Sequence, residues 1–451
     1  MSAEKTDYRV TGTAWAGAWK IAAGVGVLGL AGAGYGYTVD AQRFAFSYLF
    51  GFFAFLVLAL GATFFVLLQH VTNAGWSVTV RRTAEVFMSA LPIFALLFLP
   101  VAASMDHLYP WTHDHAAVHA AASHEHGEAA EEGHAPAADE GHGHDHQAGQ
   151  VLSEEQIEHQ LHGELMASKS PFLNRGFFFG RAIAYFLIWF LLTRKLFANS
   201  VKQDTTKDLG LTASSQGMAP ASLVLLGLTT TFASFDWVMS LLPGWYSTIF
   251  GVQIFAASMV VSLAVLTLVT YGLRSSGASG KAITTEHFHD LGKLLFGFNV
   301  FWAYISFSQF FLIWYASIPE ETVFFHMRWS DGPWKPVSVA IVVLHFLVPF
   351  LMLISRNTKR FFGQKVLLLG ASLLLVMHFV EMYWQVLPNY AAARGVLPTH
   401  AESFAPHWLD LACLLGVGGV YLAAVFYRMA QHPVVPVGDP RMSRSAHFEN
   451  A

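Results

Sequence analysis

Apolar residues run along this chain in long uninterrupted stretches, not in the short periodic pieces that build a water-soluble core. A helix crosses a bilayer core with about twenty apolar residues, and ten stretches reach that length to within a few residues: 15–37, 44–70, 85–104, 172–192, 220–241, 247–271, 292–315, 337–354, 366–384 and 408–427. They predict an all-α, polytopic protein of about ten transmembrane helices. The breaks between them carry turn residues: Asp40, Asn73 with Gly75, Pro243 with Gly244, Pro319, Gly332 with Pro333, and Pro388 with Asn389. Trp76, Trp245, Trp329, Trp334 and Trp408 fall near the expected membrane edges, where amphipathic rings are favoured.

Composition agrees. Of 451 residues, 54% are hydrophobic and 12% charged, too few charges to cover a soluble particle, which carries roughly a quarter. The net charge of −4 shows no nucleic-acid footprint. Cys413 is the only cysteine, which excludes an internal disulfide, a CxxCH haem attachment and an all-cysteine iron–sulfur site. Lys5 and Arg9 precede the first stretch as in a signal peptide, but the stretch is long and lacks a small-residue cleavage site, so it reads as a retained span. Cytoplasmic segments keep an excess of Lys and Arg. With the N-terminus inside, alternate segments hold 19 of the 26 basic residues and the opposite side 7. Both termini are therefore expected in the cytoplasm.

The chain then divides into three helices (1–104), an extracytoplasmic loop (105–171), seven further helices (172–428) and a cytoplasmic tail (429–451). Ala, Gly, Glu and His dominate the loop, which offers little to bury and is expected to be disordered to about Gln150. Residues 153–167 have the spacing of a short amphipathic helix. Imidazole clusters bind divalent metals, and His142, His144 and His146 are the candidates, although no fixed ligand spacing appears. A solvated low-complexity insertion explains the same residues.

An ionisable side chain inside a span costs about 3 kcal/mol on insertion scales, so each is a candidate for function. Asp236 and His345 lie roughly 9 and 12 Å below the outer ends of their spans at the helical rise; His378, Glu381 and Asp410 also fall in the outer half. His378, Glu381 and Gln385 share one helical face by their i, i+3, i+7 spacing. They suit a proton relay or, equally, a polar clamp between helices. The same choice applies to Asp236 and His345, while Asp410 is expected at the interface. His289, Asp290 and Lys293 mark the inner start of the seventh span, as a proton intake or a charged helix end. His345 and His378 stand at similar depth and raise a bis-histidine haem as a lesser reading. Gly32 with Gly36, and Gly416, Gly418 and Gly419, predict close helix contacts in the first and last spans.

Two stretches are more distinctive. Residues 231–255, TFASFDWVMSLLPGWYSTIFGVQIF, end one span in an Asp-Trp pair and re-enter almost at once. Residues 289–322, HDLGKLLFGFNVFWAYISFSQFFLIWYASIPEET, bracket a span between a charged inner and an acidic outer end. Both resemble the second quinone-associated membrane subunit, lettered F, of bacterial alternative complex III, a quinol:cytochrome c oxidoreductase related to polysulfide-reductase-type membrane subunits. The resemblance implies two four-helix bundles, spans two to five and six to nine, with the first and last spans peripheral. It implies a place in the bacterial inner membrane beside a multihaem cytochrome c, an iron–sulfur subunit, a second quinone-associated subunit and a terminal oxidase, with haem c and iron–sulfur clusters in those partners. On this resemblance the chain supplies scaffold and a transmembrane proton path rather than the principal quinol site, has no redox centres of its own, and leaves contact with quinone open. Asp236, Glu320 and Glu321 stand inside the matched motifs. The His-rich insertion departs from the family pattern. Two other classes remain open at this point: a secondary transporter for a divalent metal, and a purely structural anchor.

Overall fold

The computed structural model describes residues 8–112, 168–355, 364–397 and 399–449, and among these the secondary structure is helical with no strand. Among the described residues ten helices are long and apolar enough to cross a membrane, so the chain is an integral membrane protein. They are α1 (Ala18–Val39), α2 (Ala41–Val71), α3 (Val78–Ala103), α4 (Arg175–Thr206), α5 (Leu209–Trp237), α6 (Phe250–Ser275), α7 (Thr285–Ala316), α8 (Lys335–Leu353), α9 (Lys365–Val386) and α10 (Trp408–Gln431). Several run past the apolar stretch that predicts them because a polar residue caps them. The Asp40 carboxylate accepts the Arg43 N–H at 2.8 Å to start α2, and the Asp208 carboxylate accepts that of Gly210 at 2.8 Å to start α5. α4 and α5 extend to a tight turn at Lys207, which takes the left-handed conformation at φ 54°.

α2, α3, α4 and α5 close into one ring, each touching the next and α5 returning to α2; α6, α7, α8 and α9 close into a second. The two rings join along α2 and α6. Facing both rings, α2 is buried at every residue from Phe44 to Leu67. At Gly61 any Cβ would collide with the Ser258 carbonyl of α6, so glycine sets the approach of the two bundles. α1 lies outside the rings and packs on α10, which also touches α2. Their seam sets Gly26 against Gly419, Gly29 against Gly416, and Gly36 against the Leu409 side chain. Gly32 is not part of its tightest contact, since a Cβ there would meet Ala412 at an ordinary 3.5 Å. Gly418 faces the other way and seats the Phe55 ring.

The end of the bundle that bears the 105–171 segment is called outer here, following the charge count. At the inner end the two chain ends meet, Val434 N–H donating to the Tyr8 carbonyl at 2.7 Å. Side chains of the tail segment are held there by hydrogen bonds and ion pairs. Arg81 donates to Glu85 at 2.8 Å and to Asp439 at 2.7 Å, Arg82 donates to Asp204 at 2.7 Å, and the Ser445 hydroxyl donates to the Trp76 carbonyl at 2.6 Å. Burial would raise the Asp439 carboxyl, but the Arg81 charge and hydrogen bond, with help from Arg441, outweigh it and hold the group below the usual carboxylate range.

At the outer end, residues 105–112 are folded, which corrects the expectation of disorder from Met105 onward. This stretch carries Tyr109 and Trp111, both buried, and the Tyr109 hydroxyl donates to the Trp237 carbonyl at 3.2 Å. The short helix Pro319–Trp329 presents Arg328, fully buried, whose guanidinium donates to the carbonyls of Trp384 and Gln385 in the last turn of α9 and stacks on Phe324 at 3.6 Å. A cation at a helix C-terminus meets the negative end of the helix dipole, so Arg328 fastens α9 to this short helix.

Candidate functional site

The second bundle gathers polar groups in its outer half. The predicted face of α9 is buried along its length: His378, Glu381 and Gln385 are all covered, with His378 turned toward α2 and Glu381 toward α7. The Trp302 indole of α7 donates to Glu381 Oε1 at 2.8 Å, and Gln253 of α6 adjoins the same carboxyl. Glu381 Oε2 lies 3.7 Å from His345 Nδ1, beyond a direct hydrogen bond. The His345 ring sits over Trp302 with centroids 3.9 Å apart. His345 belongs to a π-helical turn, Ile341–Leu347. Pro349, four residues on, has no N–H to offer the His345 carbonyl, so the helix widens here and re-aims the imidazole.

Beside Glu381 opens a cavity of about 410 Å³. Its walls are aromatic and aliphatic, with Phe307, Phe310, Phe325 and Phe346 prominent, and its polar groups are Gln253, Ser306, Ser338 and Glu381. Among the described residues, Oε2 of Glu381, which lines the cavity, has no hydrogen-bond partner, and neither do the two ring nitrogens of His345, His378 Nδ1 or the amide atoms of Gln385 and of Asn299, all buried in the same bundle. Such atoms are costly in an apolar interior and mark places where water or a ligand completes the set. An apolar pocket with a few convergent polar groups is the usual form of a small-molecule site.

The other predicted residues are elsewhere. Asp236 lies in the first bundle, where Arg181 of α4 grips both its oxygens at 2.6 and 2.9 Å and the Tyr185 hydroxyl donates at 2.8 Å. Asp410 lies in the first turn of α10 and is buried, because Arg43 and Ser47 of α2 reach it and the His407 N–H donates to it at 2.9 Å. Neither aspartate lines the cavity. Asp290 and Lys293 pair with each other at 2.8 Å near the inner end, with His289 buried beside them in sequence. Glu320 and Glu321 start the short outer helix, where acids suit the dipole, and they do not reach the cavity. His142, His144, His146 and the 153–167 helix lie outside the described residues. Among the described residues no three His, Cys, Asp or Glu side chains gather as a metal site. The histidine pair does not fit a haem: His378 Nε2 donates to the Ala54 carbonyl at 3.0 Å, and His345 is stacked on an indole.

Sequence reasoning missed Arg43, Arg181, Trp302 and Gln253. The arginines lie within or beside apolar stretches, and a count of basic residues by segment does not show what they pair with. An arginine inside a span needs a carboxylate on a neighbour, and that requirement points from Arg181 to an acid such as Asp236. Trp302 carries a similar signal, since a buried indole N–H needs an acceptor.

No protein-family model matches the chain, and no curated protein matches its sequence.

Proposed function

We propose that this chain is a membrane subunit of a respiratory quinol:electron-acceptor oxidoreductase and that the cavity beside Glu381 receives the quinol ring. What supports the reading is the cavity itself: large enough for a substituted ring, aromatic on its walls, and ending on a buried carboxyl with one unsatisfied oxygen. The resemblance of 231–255 and 289–322 to alternative complex III supports the respiratory assembly, while the placing of the quinol ring rests on the cavity alone. Oxidation of a quinol releases two protons and two electrons. Glu381 Oε2 takes a hydroxyl proton, and His345, at 3.7 Å, receives it after a small rotation or through one water. Trp302 holds the other carboxyl oxygen in place. The electrons pass to iron–sulfur and haem centres in partner subunits. Protons leave on the outer side, since the cavity residues of α7, Trp302 to Phe310, occupy its outer half.

The test is Glu381→Gln in the native complex. Quinol oxidation is expected to fall about a hundredfold or more, the usual scale for a lost proton acceptor. The c-haem and iron–sulfur subunits are expected to co-purify unchanged. Full activity in the variant, or purification of the wild-type chain as a lone oligomer, overturns the reading.

A further inference from the structure

We infer that a second groove, at the inner end between α2, α6 and α7, is a binding site for a phospholipid with a primary-amine headgroup, of the phosphatidylethanolamine type. This inference is independent of the quinol reading. The groove encloses about 380 Å³. Phe65 and Leu68 of α2, Met259 of α6 and Phe298 of α7 give it apolar walls, and Gln69, Asp290 and Lys293 form its polar part.

Depth separates the two. Phe65 lies six residues inside the end of α2 at Val71, and Phe298 lies eight residues along α7 from Asp290; these are roughly 9 and 12 Å at the helical rise. A polar rim at headgroup level over an apolar slot suits an amphiphile with its chain directed into the bilayer. The Trp76 ring also lines the groove, at the level favoured by indoles.

The polar groups select the headgroup. Asp290 and Lys293 already sit 2.8 Å apart, with Lys293 half exposed. An ammonium placed against Asp290 and a phosphate against Lys293 complement that dipole in the order a zwitterionic headgroup provides. Gln69 is 6% exposed, and its Oε1 accepts no hydrogen bond. An ammonium with N–H groups satisfies this buried acceptor. A trimethylammonium headgroup has no N–H for it, and a glycerol headgroup brings no cation to Asp290. Free phosphoethanolamine has the charges but leaves the apolar slot empty.

The experiment embeds the full chain, as purified from its membrane, in nanodiscs holding equal parts of phosphatidylethanolamine, phosphatidylcholine and phosphatidylglycerol. Lipid that survives detergent extraction is then counted by mass spectrometry. Phosphatidylethanolamine is expected to be enriched about fivefold over either competitor, the factor that one hydrogen bond of ordinary net strength supplies. Lys293→Glu and Gln69→Leu are each expected to bring the ratio back to that of the bulk lipid. Lys293 is half exposed, so its variant keeps the test decisive if Gln69→Leu does not fold. Equal retention of the three lipids, enrichment of phosphatidylglycerol, or a quinone extracted in place of lipid and lost in these variants overturns the inference.

Discussion

The two four-helix bundles place the same kind of pair at corresponding positions: a base on the third helix of the ring and an acid on the fourth. In the first bundle the pair is Arg181 on α4 with Asp236 on α5; in the second it is His345 on α8 with Glu381 on α9. Their surroundings differ in kind. Asp236 has both oxygens occupied by a guanidinium in a forked contact and by a tyrosine hydroxyl, and it does not line the cavity beside Glu381. Glu381 has one oxygen on Trp302, the other free at 3.7 Å from an imidazole, and a cavity beside it. Guanidinium does not give up its proton under physiological conditions, whereas imidazole does so readily. A common layout thus yields a clamp in one bundle and, in the reading proposed above, a proton-handling site in the other.

The sharpest way to break this comparison is to remove one partner from each pair. Asp236→Ala leaves the Arg181 charge buried without a carboxylate, and a loss of about 3–5 kcal/mol of stability is expected. Arg181→Met added to it removes the stranded charge and is expected to recover much of that loss. Glu381→Gln keeps the shape and an acceptor for Trp302, so its cost is expected to stay within about 1 kcal/mol. Chemical unfolding in detergent measures all three. Equal losses for Asp236→Ala and Glu381→Gln would show that both pairs are clamps.

A smaller effect tests the support of Glu381. Trp302→Phe retains a ring beneath His345 but removes the N–H that fixes Glu381 Oε1. A loss of about 1 kcal/mol in stability is expected, together with a several-fold fall in quinol oxidation as the carboxyl loses its fixed position. The matching change in the first bundle, Tyr185→Phe, removes one of three donors to Asp236 and is expected to leave turnover unchanged. If the two variants lose turnover equally, the bundles do not differ as described.

Much of this was legible in the chain, and the illegible part has a physical pattern. Span number and the buried face of α9 follow from length and helical spacing, which depend on one segment at a time. The pairing of charges depends on two segments. Arg43, Arg181 and Arg328 are among the seven basic residues that a segment count, which ignores depth, places on the outer side, yet each is buried on a partner from another helix. Taking them out of the solvent-exposed count makes the bias toward the inner end stronger. The cavity was invisible for a similar reason: Gln253, Trp302 and Glu381 come from three helices, and no single stretch marks them. Pro349 was the one local sign that α8 departs from regular geometry near His345.

The smallest expected effect concerns the inner end of the first bundle, where its paired charges continue. Arg81 joins α3 to Asp439 of the terminal segment, and Arg82 joins it to Asp204 of α4. Asp439 titrates below its usual value of 3.8 in the folded protein, because the Arg81 charge and hydrogen bond overcome the penalty of burial. A carboxyl whose folded value is depressed adds stability that is fully present above the unfolded value. That stability is lost as pH falls from there through the folded value. At neutral pH the contribution is therefore constant, and acidification below about pH 4 is expected to loosen the terminal segment from α3. Hydrogen exchange across 433–449 at a series of acid pH values follows this directly. In Asp439→Asn the exchange should already be raised at neutral pH and should lose most of its acid dependence. An unchanged acid dependence in that variant would place the sensitive group on another residue and separate the inner network from the paired-charge character of the first bundle.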